Sequence, residues 1–536
     1  MKTLYLIISL AATTLFFQTQ VAAQGTEKLP RSTPEQEGVS SEGIIQFLNA
    51  CDTSGLENHS FMMLRHGKVI AEGWWKPYGS EYKHIMFSAS KTFTATAVGL
   101  AVSENRLKVT DKVISFFPYS LPDSISDYMK EMTVKDLLTM SAGQDPEPSA
   151  WGAGGDWMTH FMATAPKFKP GSVFKYNNMA TFMLSAIVQQ VTGETVFDYL
   201  MPRIFKPLGI RGIDWDLNPQ GITIGMIGLR LRTEDLAKFG QLLLNGGVWN
   251  GKQLIPKEWV KEATAFHIKN SSAADGVNST SDWEQGYAYQ MWRGKNNTVR
   301  LDGMAGQFVV LIPDKDAIVV FTANNSNTQK QLNLMHNFLI PAIKSDKPLA
   351  PAPATLGEMT KKAAAITIGS GFEKSVETGF EKLVSGKEFI LSENDHKIQS
   401  VYLSFKNGTC TFAIKRDNAV SSIKAGAKEW VVSNTLSASL LAPPRTNFSK
   451  SVDANYTILN PTIKVAAQYA WTEEKTLEIT GRFVEEALGS ETIVCKFSEQ
   501  NNDVRVTIEP KTPARAGRGF GNKQPVVLRG TMVKIE

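Results

Sequence analysis

The sequence predicts a mixed α/β (α+β) domain built on an antiparallel sheet, followed by a smaller all-β domain. Three observations carry this. Two apolar hairpins stand at opposite ends of the first 345 residues with helical segments between them. A stretch rich in proline and alanine follows. Beyond Phe380, short strand-like runs succeed one another at the spacing an all-β meander requires.

Each element has a local cause. Phe61 to Ala71 places two apolar strands around His66-Gly67-Lys68, a hairpin signature. Thr92 to Leu107 has helical composition, with Asn105 near its end, and Thr133 to Met140 is a second helix closed by Ser-Ala-Gly. Phe308–Ile312 and Ala317–Thr322 are apolar strands joined by Pro-Asp-Lys-Asp, residues that favour turns. Lys347-Pro-Leu-Ala-Pro-Ala-Pro-Ala reads as an extended linker, because spaced prolines oppose helix. The predicted organisation is a leader over 1–23, a main domain over 24–345, a linker over 346–356 and an all-β accessory domain over 357–536. Strands are expected at 400–405, 410–415, 430–433, 464–471, 477–484, 492–497 and 504–509. The glycine-rich loop Arg515 to Gly521 reads as a hairpin tip, since no strand-to-helix context surrounds it.

Composition narrows the function classes. With 42% hydrophobic and 20% charged residues, the chain is neither disordered nor fibrous. A net charge of +5 over 536 residues gives no reason to expect nucleic acid. Met1 to Ala23 has a basic start at Lys2, an apolar stretch from Leu4 to Phe17 and small residues at Val21-Ala22-Ala23, the pattern of a secretory signal. It is too short for a spanning helix, so a soluble exported product, periplasmic or secreted and without stable membrane insertion, is expected. Of the three cysteines, Cys410 and Cys495 lie in strand-like runs and are read either as a pair or as buried free thiols. No C-x-x-C or H-E-x-x-H occurs, so no metal or cofactor is expected.

Without a cofactor, the chemistry must come from an activated side chain. There is no G-x-S-x-G elbow, but S-x-x-K begins at Ser80, Ser88, Ser172 and Ser421. Context separates the four. Ser88-Ala-Ser-Lys91 opens a long apolar helix, where i and i+3 share a face and Lys91 can reach the Ser88 hydroxyl. Ser80 and Ser172 follow turns, and Ser421 lies in the later β region. Tyr176-Asn177-Asn178 supplies what such a pair lacks: a tyrosine to relay the serine proton, and an asparagine to bond the lysine and an acyl amide.

With these motifs in place, the chain resembles the β-lactamase-related serine hydrolases: class C β-lactamases, D-Ala-D-Ala carboxypeptidases, D-aminopeptidases, 6-aminohexanoate-dimer hydrolases and related esterases. The resemblance spans about Glu35 to Ile343. It extends through Phe87-Ser-Ala-Ser-Lys-Thr, Leu138-Thr-Met-Ser-Ala-Gly, Pro170-Gly-Ser-Val-Phe-Lys-Tyr-Asn-Asn and Arg232-Thr-Glu-Asp-Leu-Ala-Lys-Phe-Gly. It implies a β-lactamase/transpeptidase-like fold, an acyl-enzyme on Ser88, and Lys91 with Tyr176 as general base and acid. The family's third motif, Lys-Thr-Gly or a His variant, falls on Leu301 to Gln307. The favoured register places it at Met304-Ala305-Gly306 and the other at Leu301-Asp302-Gly303. The favoured register gives the oxyanion hole to the backbone amides of Ser88 and Gln307. An apolar residue takes the cationic position in both, which counts against carboxylate recognition and so against strong β-lactamase activity. Trp151 and Trp157 are read either as a substrate wall or as loop packing, and Asn178, Met304 and Gly306 complete the expected substrate-binding set. The reading is a hydrolase of small-molecule or cell-wall-derived esters or amides. Its alternatives are a β-lactam-binding sensor without turnover, or a carbohydrate-binding role of the β domain, whose partner the sequence leaves open.

Overall fold

The computed structural model describes residues 28–533 apart from 151–154, 272–279, 370–371, 373–374, 418, 436, 438, 442–447, 452–453, 460–461, 487–489, 502 and 512–526. The leader, Trp151 and the Arg515–Gly521 loop lie outside the described residues.

The first hairpin forms as expected from β1 (Asn58–Arg65) and β2 (Lys68–Trp74). His66 and Gly67 turn it at φ 50° and 75°, the positive values that match a two-residue turn to the twist of its strands. Two short strands, β3 (His84–Ile85) and β5 (Leu229–Leu231), join β4 (Asp214–Leu217) in a second sheet. Near the end of the main domain come β6 (Trp292–Arg293), β7 (Val299–Gly303), β8 (Gln307–Ile312) and β9 (Ala317–Ala323). The main sheet runs β2-β1-β9-β8-β7-β6, antiparallel throughout. Its centre is explained by β9, Ala-Ile-Val-Val-Phe-Thr-Ala, which is buried on both faces. Val319 and Phe321 pack with Phe47 of α1 (Ser41–Thr53), whereas Ile318 and Val320 face the core around Phe93 of α2 (Ser90–Ser103). A strand covered on both sides is apolar wherever no partner is at hand, and its one polar side chain, Thr322, shares a 2.6 Å hydrogen bond with Ser60 Oγ.

The same logic places α2, whose residues Ser90 to Ala101 are all buried. An all-round apolar helix belongs in the interior. Its threonines are tolerated because each hydroxyl is bonded: Thr92 to Gln290 O, Thr94 to Gly225 O and Thr96 to Thr92 O, at 2.9 to 3.0 Å. Helices α3 (Asn178–Thr192) and α4 (Thr233–Leu244) flank it.

The linker reading needs correction. Pro353–Ala365 is a helix, α5, with Pro353 at its first position, where a missing N–H costs nothing. Met359 is buried with the α1 cluster, Lys362 bonds Asp52 at 2.7 Å, and Ile366 lies against Gly73 of β2. The spaced prolines that suggested a linker end at Pro353, and the alanines after it favour helix once a tertiary surface is available. The 357–536 segment is therefore not all-β from its start; a further short helix, Phe380–Val384, precedes its strands.

The strands then run β10 (Lys387–Leu391), β11 (Ile398–Lys406), β12 (Thr409–Arg416), β13 (Ala419–Gly426), β14 (Val431–Thr435), β15 (Phe448–Ser451), β16 (Ala454–Leu459), β17 (Ile463–Glu473), β18 (Thr476–Phe483), β19 (Ser490–Gln500), β20 (Asp503–Pro510) and β21 (Leu528–Met532). All seven expected runs are present, and β10, β13, β15, β16 and β21 join them. The order β13-β12-β11-β10-β21-β20-β19-β18-β17 closes into a barrel through a parallel contact of Ala425 with Ala467. Closure removes the exposed edges. Cys410 and Cys495 are free, buried thiols in the barrel core. One hairpin leaves the barrel: β15 pairs with β4, so β15 and β16 extend the second sheet of the main domain.

Candidate active site

Ser88 sits in a single 3₁₀ turn, Phe87–Ala89, that leads into α2. Phe87 holds φ at 44°. For a bulky residue this left-handed backbone costs about 1 to 3 kcal/mol and persists only where the surroundings impose it. The turn presents the half-buried Ser88 side chain at the helix N-terminus, where the helix dipole favours a forming anion.

Lys91 is the centre of the site. It is 1% exposed, and its Nζ lies 3.1 Å from Ser88 Oγ, 2.9 Å from Asn178 Oδ1 and 2.9 Å from Met226 O. Burial pushes its pKa down to about 7, against the opposing pull of Glu147 and Asp302. A neutral amine has two N–H groups and one lone pair. With Asn178 Oδ1 and Met226 O taking the two donors, the lone pair is left for the Ser88 hydroxyl. The other S-x-x-K serines lack this arrangement. Ser80 is exposed, Ser172 donates to Lys169 O at 2.6 Å, and Ser421 lies on β13, where i and i+3 point to opposite faces.

Tyr176 hydrogen-bonds the Ser88 side chain, and its ring centroid is 5.0 Å from Lys91 Nζ. Burial raises its pKa above the ordinary phenol value, so it stays protonated. Asn177 caps α3 by accepting from Ala180 N at 2.9 Å, which fixes the chain direction between Tyr176 and Asn178. Asn178 is oriented by Glu147. Its Nδ2 donates one N–H to Glu147 Oε1 at 2.9 Å and its backbone N–H donates to Glu147 Oε2. Glu147 thereby fixes the amide with Oδ1 towards the lysine, and one of the two Nδ2 N–H groups is engaged.

Other expected residues fall differently. Trp157 is buried and packs edge-on against Phe182 at 5.0 Å, so of the two readings it is loop packing. Gly306, at φ 95°, abuts the Gln331 side chain and accepts its Nε2–H at 3.2 Å, which makes it a turn residue rather than a wall. Gln307 is paired with Gly303 across the hairpin; its amide donates to Met304 O and Ala323 O and accepts from Ala323 N. The nucleophile turn is met instead by Gly303: a Cβ there would stand 2.2 Å from Met86 O. That contact favours the register Leu301-Asp302-Gly303 over the one read from sequence. Leu301 is buried in the core and Met304 is 64% exposed, so neither supplies a cation. Arg300 is 1% exposed, paired with Asp302 at 2.8 Å and stacked by Trp283 at 4.6 Å.

Three residues escaped the sequence reading. Glu147 has no motif of its own. Trp292 stacks on Tyr176 at 5.8 Å and 20° and is half-buried. Gln290, at φ 55°, accepts from Thr181 Oγ1 at 2.6 Å and donates to Leu137 O at 2.9 Å, tying the helix before the Gly143 turn to α3. Among the described residues no group of His, Cys, Asp or Glu is arranged to hold a metal ion, and no helix is long and apolar enough to cross a membrane.

Known proteins resemble this chain. A 6-aminohexanoate-dimer hydrolase from Paenarthrobacter ureafaciens is 24% identical over 280 residues, covering 49% of this chain and 71% of that protein. Among solved structures, an octameric penicillin-binding protein homologue from Pyrococcus abyssi aligns with a TM-score of 0.44 and 17% identity, over 87% of this chain and 97% of that one. EstCE1, a hydrolase with promiscuous acyltransferase activity, aligns with a TM-score of 0.44 and 16% identity over 57% of this chain and 99% of that one. The family model described as Beta-lactamase matches residues 48–338, more than half of the chain. The chain thus belongs to the Beta-lactamase family, with the mixed α/β fold of that family and a closed barrel after it.

Proposed function

We propose that this protein is an acyl-enzyme serine hydrolase that cleaves an ester or amide bond. The observation that carries the reading is the 3.1 Å contact between Ser88 Oγ and a buried Lys91 that burial drives towards its neutral form. Ser88 Oγ attacks the carbonyl carbon while its proton passes to Lys91 Nζ. Tyr176, kept as a phenol, hands a proton to the departing oxygen or nitrogen and recovers one from the adjacent Lys91 ammonium, which holds the proton taken from Ser88. The tetrahedral oxyanion is held by the amide of Ser88 and, in the register that Gly303 favours, by that of Met304 rather than Gln307. Water then adds to the acyl carbon, with Lys91 taking its proton, and Ser88 leaves.

The apolar residues Leu301 and Met304 at the third motif, where the resemblance expects a cation, support neutral esters and amides over carboxylate-bearing β-lactams and D-Ala-D-Ala peptides. An amide substrate is in keeping with the related 6-aminohexanoate-dimer hydrolase. The leader-like start of the chain supports export, which places cell-wall-derived molecules within reach; sequencing the mature N-terminus tests this. The enzymatic reading is tested by fluorophosphonate labelling and by a panel of p-nitrophenyl esters, D-amino-acid amides, peptidoglycan fragments and nitrocefin. Label on Ser88 and loss of all turnover in Ser88→Ala are expected. Label on Ser80, Ser172 or Ser421, or wild-type turnover in Ser88→Ala, would refute the reading.

A further inference from the structure

We propose that the C-terminal barrel is part of the scaffold of the nucleophile: its Glu485–Glu486 turn pins β3 and so keeps the left-handed Phe87 backbone in place. The inference rests on reading Ser88 as the nucleophile. It concerns how that residue is held.

Strand β3 is only His84–Ile85, three residues ahead of Ser88, and it has β5 on one side. Two residues cannot hold an upstream anchor by ladder bonds alone. The other side is supplied by the barrel. Ile85 N–H donates to Glu485 O at 2.9 Å, a backbone bond between residues 400 positions apart in sequence. The Ile85 carbonyl is tied to the barrel as well, through side chains. His84 Nδ1 lies 3.0 Å from Ile85 O, His84 Nε2 lies 2.8 Å from His59 Nδ1, and His59 Nε2 lies 3.2 Å from Glu57 Oε1. Glu57 in turn accepts from Arg482 Nη1 of β18 at 2.9 Å. Both polar groups of Ile85 therefore lead to the end of β18 and the turn that follows it.

A third tie lies across β3. Arg230 on β5 is the ladder partner of Ile85. Its buried guanidinium meets Glu486 at 2.8 Å, as well as Asp214 and Asp216 at 3.0 Å each. The turn is itself rigid, since Glu485 Oε2 accepts from Lys464 N at 3.0 Å and Glu486 N donates to Phe483 O at 2.9 Å. Downstream of Phe87 the chain is fixed by α2; upstream, Met86 N–H donates to Leu229 O of β5 at 2.9 Å, and the barrel contacts hold β3 from its other side. A strained backbone held at both ends persists, and one released at an end relaxes. Arg482 and Glu486 are thus positioning residues that act on Ser88 through β3.

The test uses the full chain with Glu486→Gln, Arg482→Gln and the double variant. Glu486→Gln preserves shape and leaves Arg230 two carboxylates, so the variant is expected to fold. Glu509→Gln, which loses an exposed ion pair with Lys496 on the barrel, is the control. Two quantities are read: hydrogen exchange of the peptide 84–89, and the rate of fluorophosphonate labelling at Ser88. In the double variant, exchange at Ile85 should rise at least tenfold and labelling should slow about 10 to 100-fold, the penalty for a misplaced reacting group. The loss should fall on kcat more than on KM, and Glu486→Asp should restore part of it. A double variant that exchanges or labels like wild type overturns the proposal. If wild-type Ser88 takes no label at all, the nucleophile assignment fails instead, and the exchange result alone decides whether the barrel pins β3.

Discussion

Two buried cations in this protein, Lys91 and Arg230, meet opposite fates. Both are almost wholly removed from water. Arg230 is in contact with Asp214, Asp216 and Glu486, and those carboxylates hold its pKa well above the ordinary value in spite of burial. Lys91 touches only neutral oxygens; Glu147 and Asp302 act on it without contact, and burial wins, lowering its pKa to about 7. Desolvation of a charge is offset only by direct, well-formed partners. The seam between the domains uses a cation as a permanent bond, while the candidate site holds one that burial brings close to neutrality, as the proposed base requires.

The largest expected effect tests whether Lys91 must give up its proton. Lys91→Arg keeps a cation and cannot be neutralised, so it should slow acylation as much as Lys91→Ala, by about 10² to 10⁴. Tyr176→Phe should fall in the same range, and the double variant should be far less than multiplicative, because both residues serve one proton path. Stopped-flow acylation with a chromogenic ester measures all of these. Retained activity in Lys91→Arg would erase the contrast with Arg230.

A smaller effect is expected at the contact that aligns the third motif with the nucleophile turn. Gly303→Ala drives a Cβ against Met86 O, and backbone cannot yield as a side-chain tip can. A loss of about 1 to 3 kcal/mol in stability is expected, with acylation reduced alongside it. Thermal unfolding and labelling rate read the two. Wild-type values for both would restore the register that gives Gln307 the oxyanion role.

The pH profile comes next. The folded-state pKa of Lys91 is depressed, and the neutral amine is the active form. kcat/KM should therefore be flat above about pH 7 and fall roughly tenfold per unit below it. For the same reason, the burial of Lys91 makes the fold less stable below pH 7 than it becomes as pH rises towards the unfolded value of 10.5. Glu147 opposes the depression, so Glu147→Gln should move the acid limb to lower pH while loosening Asn178. A limb that moves up, or stays, would mean that Glu147 does not act on Lys91. The smallest effect concerns Met304→Lys. Met304 is exposed, so the protein should fold unchanged, and kcat/KM for a carboxylate-bearing ester should rise by less than about tenfold, the modest value of an exposed ion pair.

How much of this was legible varies with the range of the interactions. Ser88, Lys91 and Tyr176 announced themselves because their chemistry depends on helical spacing and on a local cap, both written in neighbouring residues. The apolar hairpins and the barrel strands were legible for the same reason. The register of the third motif was not legible, since Leu301-Asp302-Gly303 and Met304-Ala305-Gly306 share glycine at the same position, and it is the approach of Gly303 to Met86 that favours the first. The packing of Trp157 against Phe182 and of Trp292 against Tyr176 was not legible, because a tryptophan's surroundings are set by segments far along the chain.

The sequence by itself singled out Ser88 and Lys91 as candidate nucleophile and base and determined the class of fold, through periodicity and short-range spacing. Tertiary structure decided the rest. It made Pro353–Ala365 a helix by offering α1 and β2 as a surface, and it turned Asn178 with a glutamate 31 residues away. It also set Arg482, Glu485 and Glu486 against a strand near the start of the chain. The physical reason is burial. The Lys91 pKa and the Phe87 backbone are fixed by what excludes water and what presses from the far side, and those groups come together only when the chain has folded.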